Sequence, residues 1–342
     1  MFARIAALAL LVAFGIGSRM SGAEVLHFEA LEGWADDTHA DALMVFQSTC
    51  DALDGPDWRP ICALAADVPA TDAAARSFFE LFFRPVVIGT APALFTGYYE
   101  PELRGSLTRT LRFVYPIYRR PPELVEGQVY HSRAEIDAGA IRGRGLELAW
   151  LEDPVEVYFL QVQGSGRIIL PDGRVMRVGY AGRNGHAYKS VGQEMIRRGS
   201  HRLEDVSAGE IRTWVRRMGG AGREFLNHNP SYIFFRKLDD LSAERGPLGA
   251  MGRSITPLRS VAIDPAFVPL GAPVWVEKDG ALPIRRLMVA QDTGGAIKGE
   301  QRADIYFGTG NEAGEAAGRI KDGGRLIQLL PIDRAFALLP EG

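Results

Sequence analysis

LMVAQDTGGAIKGEQRADIYFG, residues 287–308, is the stretch on which the reading of this chain turns. It opens as an apolar run, Leu287 to Ala290, and stops at Asp292. Gly294-Gly295-Ala296-Ile297-Lys298-Gly299 follows, and its glycines permit tight turns and close approach of backbone to a ligand. A second strand-like run, Ala303-Asp304-Ile305-Tyr306-Phe307, then carries an aspartate inside it. Aspartate is a poor strand former and costly to bury. A strand aspartate among aliphatic and aromatic neighbours must be paired, hydrogen-bonded or protonated. The flanking Ala303 and Ile305 point to a raised pKa for Asp304. A carboxylic acid kept neutral near pH 7 is what a general acid requires. Upstream, Ser260-Val261-Ala262-Ile263 ends at Asp264, where a turn or cap role before Pro265 competes with a functional one.

Working outward, the last hundred residues read as short strands: Ser231–Lys237, Arg259–Ile263, Pro273–Glu277, Arg286–Gln291, Ala303–Phe307 and Arg325–Leu330. One helix, Asn311 to Ile320, interrupts them. The middle of the chain offers Ala93–Tyr99, Leu111–Tyr118, Val155–Val162, Gly166–Leu170 and Val175–Gly179 as further strands. Pro171-Asp172-Gly173 is a hairpin turn between two of these. Ser190 with Gln193, and Ser207 with Glu210, are capping-box pairs that open two short helices closed at Gly199 and Gly219. Residues 38–83 are helical in pattern, with Thr71 as an N-cap before Phe78, Phe79, Leu81 and Phe82. Many short strands with few helices favour a barrel or sandwich over a doubly wound sheet.

The composition agrees. The 342 residues are 46% hydrophobic and 24% charged, which excludes a disordered chain. Such a length buries roughly 75% of its unfolded surface, so a core needs no staples. A net charge of −3 argues against a general nucleic-acid binder. Two cysteines and six histidines rule out a Cys-dense scaffold and give no support to a zinc cluster. At the N-terminus, Arg4 precedes the apolar run Ile5–Ile16, which is too short for the roughly 20 residues of a membrane span. Ser21-Gly22-Ala23 then supplies small residues for cleavage, so residues 1–23 read as a secretory signal peptide cut before Glu24. Without Arg4 and Arg19 the mature chain has 37 basic against 42 acidic residues, or −5. No cysteine lies near the cut, so no lipid anchor is expected. Export makes Cys50 and Cys62 a candidate disulfide.

Several motifs fail on inspection. Gly182–Ser190 ends in Lys-Ser but has Tyr188 where a phosphate loop needs glycine. Arg142–Leu146 lacks the leading strand and glycine-opened helix of a dinucleotide fingerprint. No HExxH or GxSxG pattern is present. Asp292-Thr293-Gly294 matches the tripeptide of aspartic proteases, but those enzymes need two such carboxylates and this chain has one.

Taken together, these segments resemble the membrane-bound lytic murein transglycosylase A (MltA) family. DTGGAIKG with ADIYFG, preceded by SVAIDPAFVPLGAPVWV, carries the resemblance. FTGYYEPELRGS at Phe95–Ser106, YFLQVQGSGRIILPDG at Tyr158–Gly173, RVGYAGRNGHAYKSVG at Arg177–Gly192 and NPSYIFFR at Asn229–Arg236 extend it. It covers residues 40 to 331.

The resemblance implies a mainly β, α+β chain: a double-psi β-barrel carrying a three-aspartate (3D) domain, with a second β-rich domain inserted, helices in the N-terminal part and a glycan groove between the two. The barrel falls on 24–105 plus 245–342 and the insert on 106–244. It implies cleavage of the β-1,4 bond between N-acetylmuramic acid and N-acetylglucosamine with formation of a 1,6-anhydro end. The family's catalytic aspartate falls on Asp304, supported by Asp292 and by a supporting or structural Asp264. Asp304 would act first as acid and then as base toward the substrate's own C6 hydroxyl. For substrate binding, the candidates are Thr96, Gly97, Tyr98, Tyr99, Glu100, Gln161, Gln163 and Ser165. Arg104, Arg109, Arg112, Arg119 and Arg120 could meet wall carboxylates or form a solvated face. No cofactor and no metal is called for; the partner is the peptidoglycan strand, with other cell-wall enzymes unspecified. The place expected is the periplasm, soluble or peripheral to the outer membrane. The rival readings are a non-catalytic glycan-binding barrel and a true hydrolase using Asp292 or Glu100 to activate water.

Overall fold

The computed structural model describes residues 23–338. The expected leader lies, Ala23 apart, outside the described residues. Three helices lead the chain: His39–Gln47, Arg59–Ala65 and Asp72–Phe82. Thr71 caps the third, its hydroxyl accepting from the Ala74 amide at 3.3 Å. This helix buries Ala75, Phe78 and Phe79 and leaves the opposite side wet. With Phe46 and Phe83 these rings stack edge-on or tilted and pack beneath Trp275, Leu287 and Ile327 of a large sheet. Truncating one such ring removes about 3–5 kcal/mol. Cys50 and Cys62 are disulfide-bonded, closing the loop before the second helix, with Cα atoms 5.4 Å apart. The buried Arg259 ties the N-terminal segment to the sheet through Asp37, Thr38 and the Leu287 carbonyl.

That sheet has nine strands. In spatial order they are Glu24–Val25, Phe83–Val87, Gly324–Pro331, Pro273–Lys278, Ile284–Thr293, Ser260–Ile263, Arg302–Thr309, Leu94–Glu100 and Lys321–Asp322. Two neighbouring pairs run parallel: Ser260–Ile263 with Ile284–Thr293, and Arg302–Thr309 with Leu94–Glu100. Both sides of the central strands are packed, which explains their almost continuous apolar sequence. The helix Gly310–Gly318 lies against Leu94–Glu100 at Gly97. A Cβ there would come 2.7 Å from the Ala317 Cα, so only glycine fits.

A second sheet of six strands follows, in the order Tyr115–Tyr118, Glu147–Leu151, Glu102–Ser106, Gly166–Ile169, Val175–Arg183 and Ile233–Lys237. Because Glu102–Ser106 pairs within it, the chain changes sheet at Pro101. The turn at Pro171–Gly173 joins Gly166–Ile169 to its antiparallel partner.

Three sequence expectations change. Val155–Val162 is a helix, Pro154–Gln163. Asp153 caps it by accepting from the Val155 amide at 2.8 Å, and Pro154 sits at the first helical position, where its missing N–H costs nothing. The helix is wedged between the second sheet and the helices Ala208–Met218 and Gly220–Leu226, so β-branched and aromatic residues suit it from several sides. Leu111–Tyr118 narrows to Tyr115–Tyr118, because Thr110 turns the preceding residues by bonding the Arg112 and Phe113 amides. Ser190 and Ser207 do cap the helices Val191–Arg197 and Ala208–Met218. The reciprocal capping box, however, is at Ser132 and Glu135, opening an unforeseen helix Arg133–Ala138.

Candidate active site

Strand register gathers the acids. Ala262 pairs with Asp292 on one side and Asp304 on the other, and Asp304 pairs with Thr96. Asp292, Ala262, Asp304 and Thr96 therefore form one row across four strands, with side chains on a common face. With strands ~4.8 Å apart, the two aspartate Cα atoms are roughly 10 Å apart, separated only by the small alanine.

Asp304 is half-buried. Its Oδ1 accepts from the Thr96 hydroxyl at 2.5 Å, and that hydroxyl accepts in turn from Arg302 Nη2 at 2.8 Å. Among the described residues its Oδ2 takes no hydrogen bond and no cation stands within ion-pair distance. Burial pushes its carboxyl up, against the weaker pull of the Thr96 donor and the Arg302 charge. Asp292 is held differently. Its Oδ1 accepts from the Ala250 and Thr293 amides at 3.0 and 2.9 Å, and its Oδ2 from Tyr98 at 3.0 Å. Burial still pushes it up to about 6, the amides and Tyr98 opposing and the Asp304 charge adding to the rise. Tyr98 is raised well above its usual range, first by burial and then by the two carboxylates, so it stays a donor.

Asp264 plays another part. Its carboxylate accepts from the Gly299 and Ala266 amides at 3.0 and 3.3 Å and faces Lys298 at 3.4 Å. Burial opposes ionisation, but these donors outweigh it and hold the carboxyl below the usual range. Asp264 thus pins the far end of the 294–299 loop while Asp292 caps its near end. Across from this loop lies the six-stranded unit: a Cβ on Gly295 would stand 3.9 Å from that of Tyr188. The 294–299 loop beside the aspartate row therefore borders the six-stranded unit.

Residues 94–236 match the family model for the MltA specific insert domain, and residues 259–330 match that for the 3D domain. The crystal structure of a membrane-bound lytic murein transglycosylase from Agrobacterium tumefaciens superposes with a TM-score of 0.84 at 31% identity, covering 93% of this chain and all of that one. The chain belongs to the MltA family. It is also similar to membrane-bound lytic murein transglycosylase A of Escherichia coli, 40% identical over 242 residues. That alignment spans 68% of this chain and 64% of the relative's length. The crystal structure of E. coli MltA with bound chitohexaose matches at a TM-score of 0.72 and 30% identity, covering 91% of this chain and 95% of that one. The nine-stranded sheet is thereby the double-psi barrel of the MltA family, and the six-stranded unit its insert.

The remaining expected residues divide. Thr96 and Tyr98 join the aspartate cluster, but Tyr98 does so with a buried ring packed 5.3 Å from Tyr306, so it offers no stacking surface. Gly97 faces the helix Gly310–Gly318. Tyr99 leans on the insert, its amide donating to Gln163 Oε1 at 3.0 Å and its hydroxyl accepting from Arg212 at 3.3 Å. Gln161 and Ser165 are buried inside the insert. Glu100 is fully buried and accepts from Arg167 at 2.9 Å, Arg177 at 2.8 Å and Thr309 at 2.8 Å, so it is an internal clamp and no groove residue. The arginine run scatters: Arg112 pairs with Glu152 and Arg109 lies over Trp150, while Arg119 and Arg120 sit on the insert away from the aspartates. Arg302 was missed, although it stands two residues before Asp304 and so shares its face. Among the described residues no group of three or more His, Cys, Asp or Glu side chains is placed to hold a metal ion. No helix among them is long and apolar enough to cross a membrane.

Proposed function

We propose that this chain is a peptidoglycan lytic transglycosylase with Asp304 as its sole proton-transfer group. The observation that carries the reading is the asymmetry of Asp304: one oxygen is fixed by Thr96, the other takes no hydrogen bond among the described residues, and burial favours the neutral acid. Protonated Asp304 donates to the glycosidic oxygen as the bond from C1 of N-acetylmuramic acid breaks. The resulting carboxylate then takes the proton from the C6 hydroxyl while that oxygen attacks C1. The nucleophile belongs to the substrate, so its proximity is already arranged. Asp292, engaged on both oxygens, keeps negative potential beside the developing oxocarbenium charge. Supporting the glycan part of the proposal, the related E. coli protein is known with chitohexaose bound. In this reading the barrel, 24–105 with 245–342, supplies the acid, and the insert, 106–244, supplies the opposite wall. Export to the periplasm after cleavage behind Ala23 belongs to the same proposal.

Mass spectrometry of a digest of purified cell wall tests it. Anhydro-ended muropeptides are expected from the wild type, and Asp304→Asn should release none while still binding glycan. Reducing ends in place of anhydro ends would show a hydrolase, and no products from the wild type would show a binding module.

A further inference from the structure

The insert holds a second concave site that none of the three aspartates lines. A cavity of about 900 Å³ opens between the strands Tyr115–Tyr118 and Glu147–Leu151 and the helices Arg133–Ala138, Pro154–Gln163 and Gly220–Leu226. Its size is that of a small-ligand site.

At its wall lies Arg133, 3% exposed. Nε donates to the Asn229 carbonyl at 3.0 Å and Nη2 to the Ser231 carbonyl at 2.6 Å. The Tyr158 and Tyr232 rings flank the guanidinium at 4.6 and 5.3 Å. Nη1 has no acceptor and the cation has no ion-pair partner among the described residues. A buried guanidinium without a counter-ion is costly. Asp137, one helical turn on, also lines the cavity, and burial pushes its carboxyl up against the pull of Arg133. Arg142 and Glu147 line it too, and neither forms an ion pair among the described residues. Charges of both signs converge on one hollow and form no ion pair with one another among the described residues, beside the indole of Trp150. That pattern fits a zwitterionic guest with some apolar surface.

We propose that this cavity is a subsite for the peptide stem of the wall polymer, a short peptide bearing free carboxylates and one amine. A stem carboxylate meets Arg133 and Arg142, and the amine meets Asp137 and Glu147. The inference rests on peptidoglycan being the substrate. The ten-residue helix Pro154–Gln163 is ~15 Å long. One end lines the cavity and the other holds the Tyr99 amide, three residues along its strand from Thr96 of the aspartate row. A stem of four or five residues reaches ~13–18 Å when extended.

Isothermal titration of the full chain with the free tetrapeptide L-Ala-γ-D-Glu-meso-diaminopimelyl-D-Ala tests this. Saturable binding is expected, weakened about tenfold or more by Arg142→Ala and by Asp137→Asn, neither of which removes a hydrogen bond of the fold. In the same variants kcat/KM on peptide-bearing glycan should fall relative to that on peptide-free glycan. No tetrapeptide binding, equal binding by wild type and variants, or binding only to vesicles of phosphatidylethanolamine and phosphatidylglycerol would overturn the proposal. Anhydro-end formation from peptide-free glycan reads the transglycosylase activity separately, so either idea can fail alone.

Discussion

The parallel strands Leu94–Glu100 and Arg302–Thr309 carry a threonine–carboxyl pair at each end. At one end Thr96 donates to Asp304 at 2.5 Å, and at the other Thr309 donates to Glu100 at 2.8 Å. The hydrogen bond is the same; the counter-ions are not. Glu100 sits fully buried between Arg167 and Arg177, whereas Asp304 is half-buried with no cation in ion-pair range among the described residues. A carboxyl becomes structural where guanidinium groups saturate it, and is left available for chemistry where burial acts on it unopposed by a paired charge.

Substitutions can break this comparison. Asp304→Asn should cut turnover by about 10³-fold or more with little loss of stability, read by anhydro-end formation and thermal melts. Glu100→Ala should do the reverse. Stranding the buried Arg177 and the half-buried Arg167 costs about 3–5 kcal/mol, measured by denaturant unfolding, and a mere loss of activity in a fully stable variant would contradict the clamp. Asp292→Asn probes the intermediate case. Its folded pKa, about 6, lies above the ordinary 3.8, so the stability it lends is present below that value and lost as pH rises through about 6. The variant should therefore gain on the wild type across this window by ~1–3 kcal/mol and hold the gain above it, read as the pH dependence of Tm. It should also shift the alkaline limb of kcat to lower pH, because a neighbouring negative charge is gone. Thr96→Val should move that limb slightly the other way, with about a tenfold loss of rate at neutral pH.

Much of the barrel was legible in the sequence because its strands alternate cleanly between turn residues and apolar runs. Asp304 was legible because an aspartate inside Ala-Asp-Ile-Tyr-Phe violates strand preference and calls for a reason. The helix Pro154–Gln163 was not, since Val155, Val157, Tyr158 and Phe159 suit a strand by propensity, and only Asp153-Pro154 marked its start. Tertiary packing on several sides overrode propensity there. The strands Glu102–Ser106 and Glu147–Leu151 were missed as short and partly polar. Glu100 misled for a different reason. Its two arginines lie 67 and 77 residues downstream, so nothing local distinguishes a clamp from a ligand-binding acid.

Arg177 carries one more consequence. While one of its Nη atoms holds Glu100, the other donates to the Ser242 and Arg245 carbonyls at 2.8 Å, and Arg167 reaches the Ala243 carbonyl at 2.9 Å. The strand leaving the barrel and the segment returning to it are thus stitched at one spot. The insert ends where it begins, as a detachable cassette would. Exchanging it whole between relatives should preserve the barrel, provided the two arginines travel with it and the glutamate stays behind.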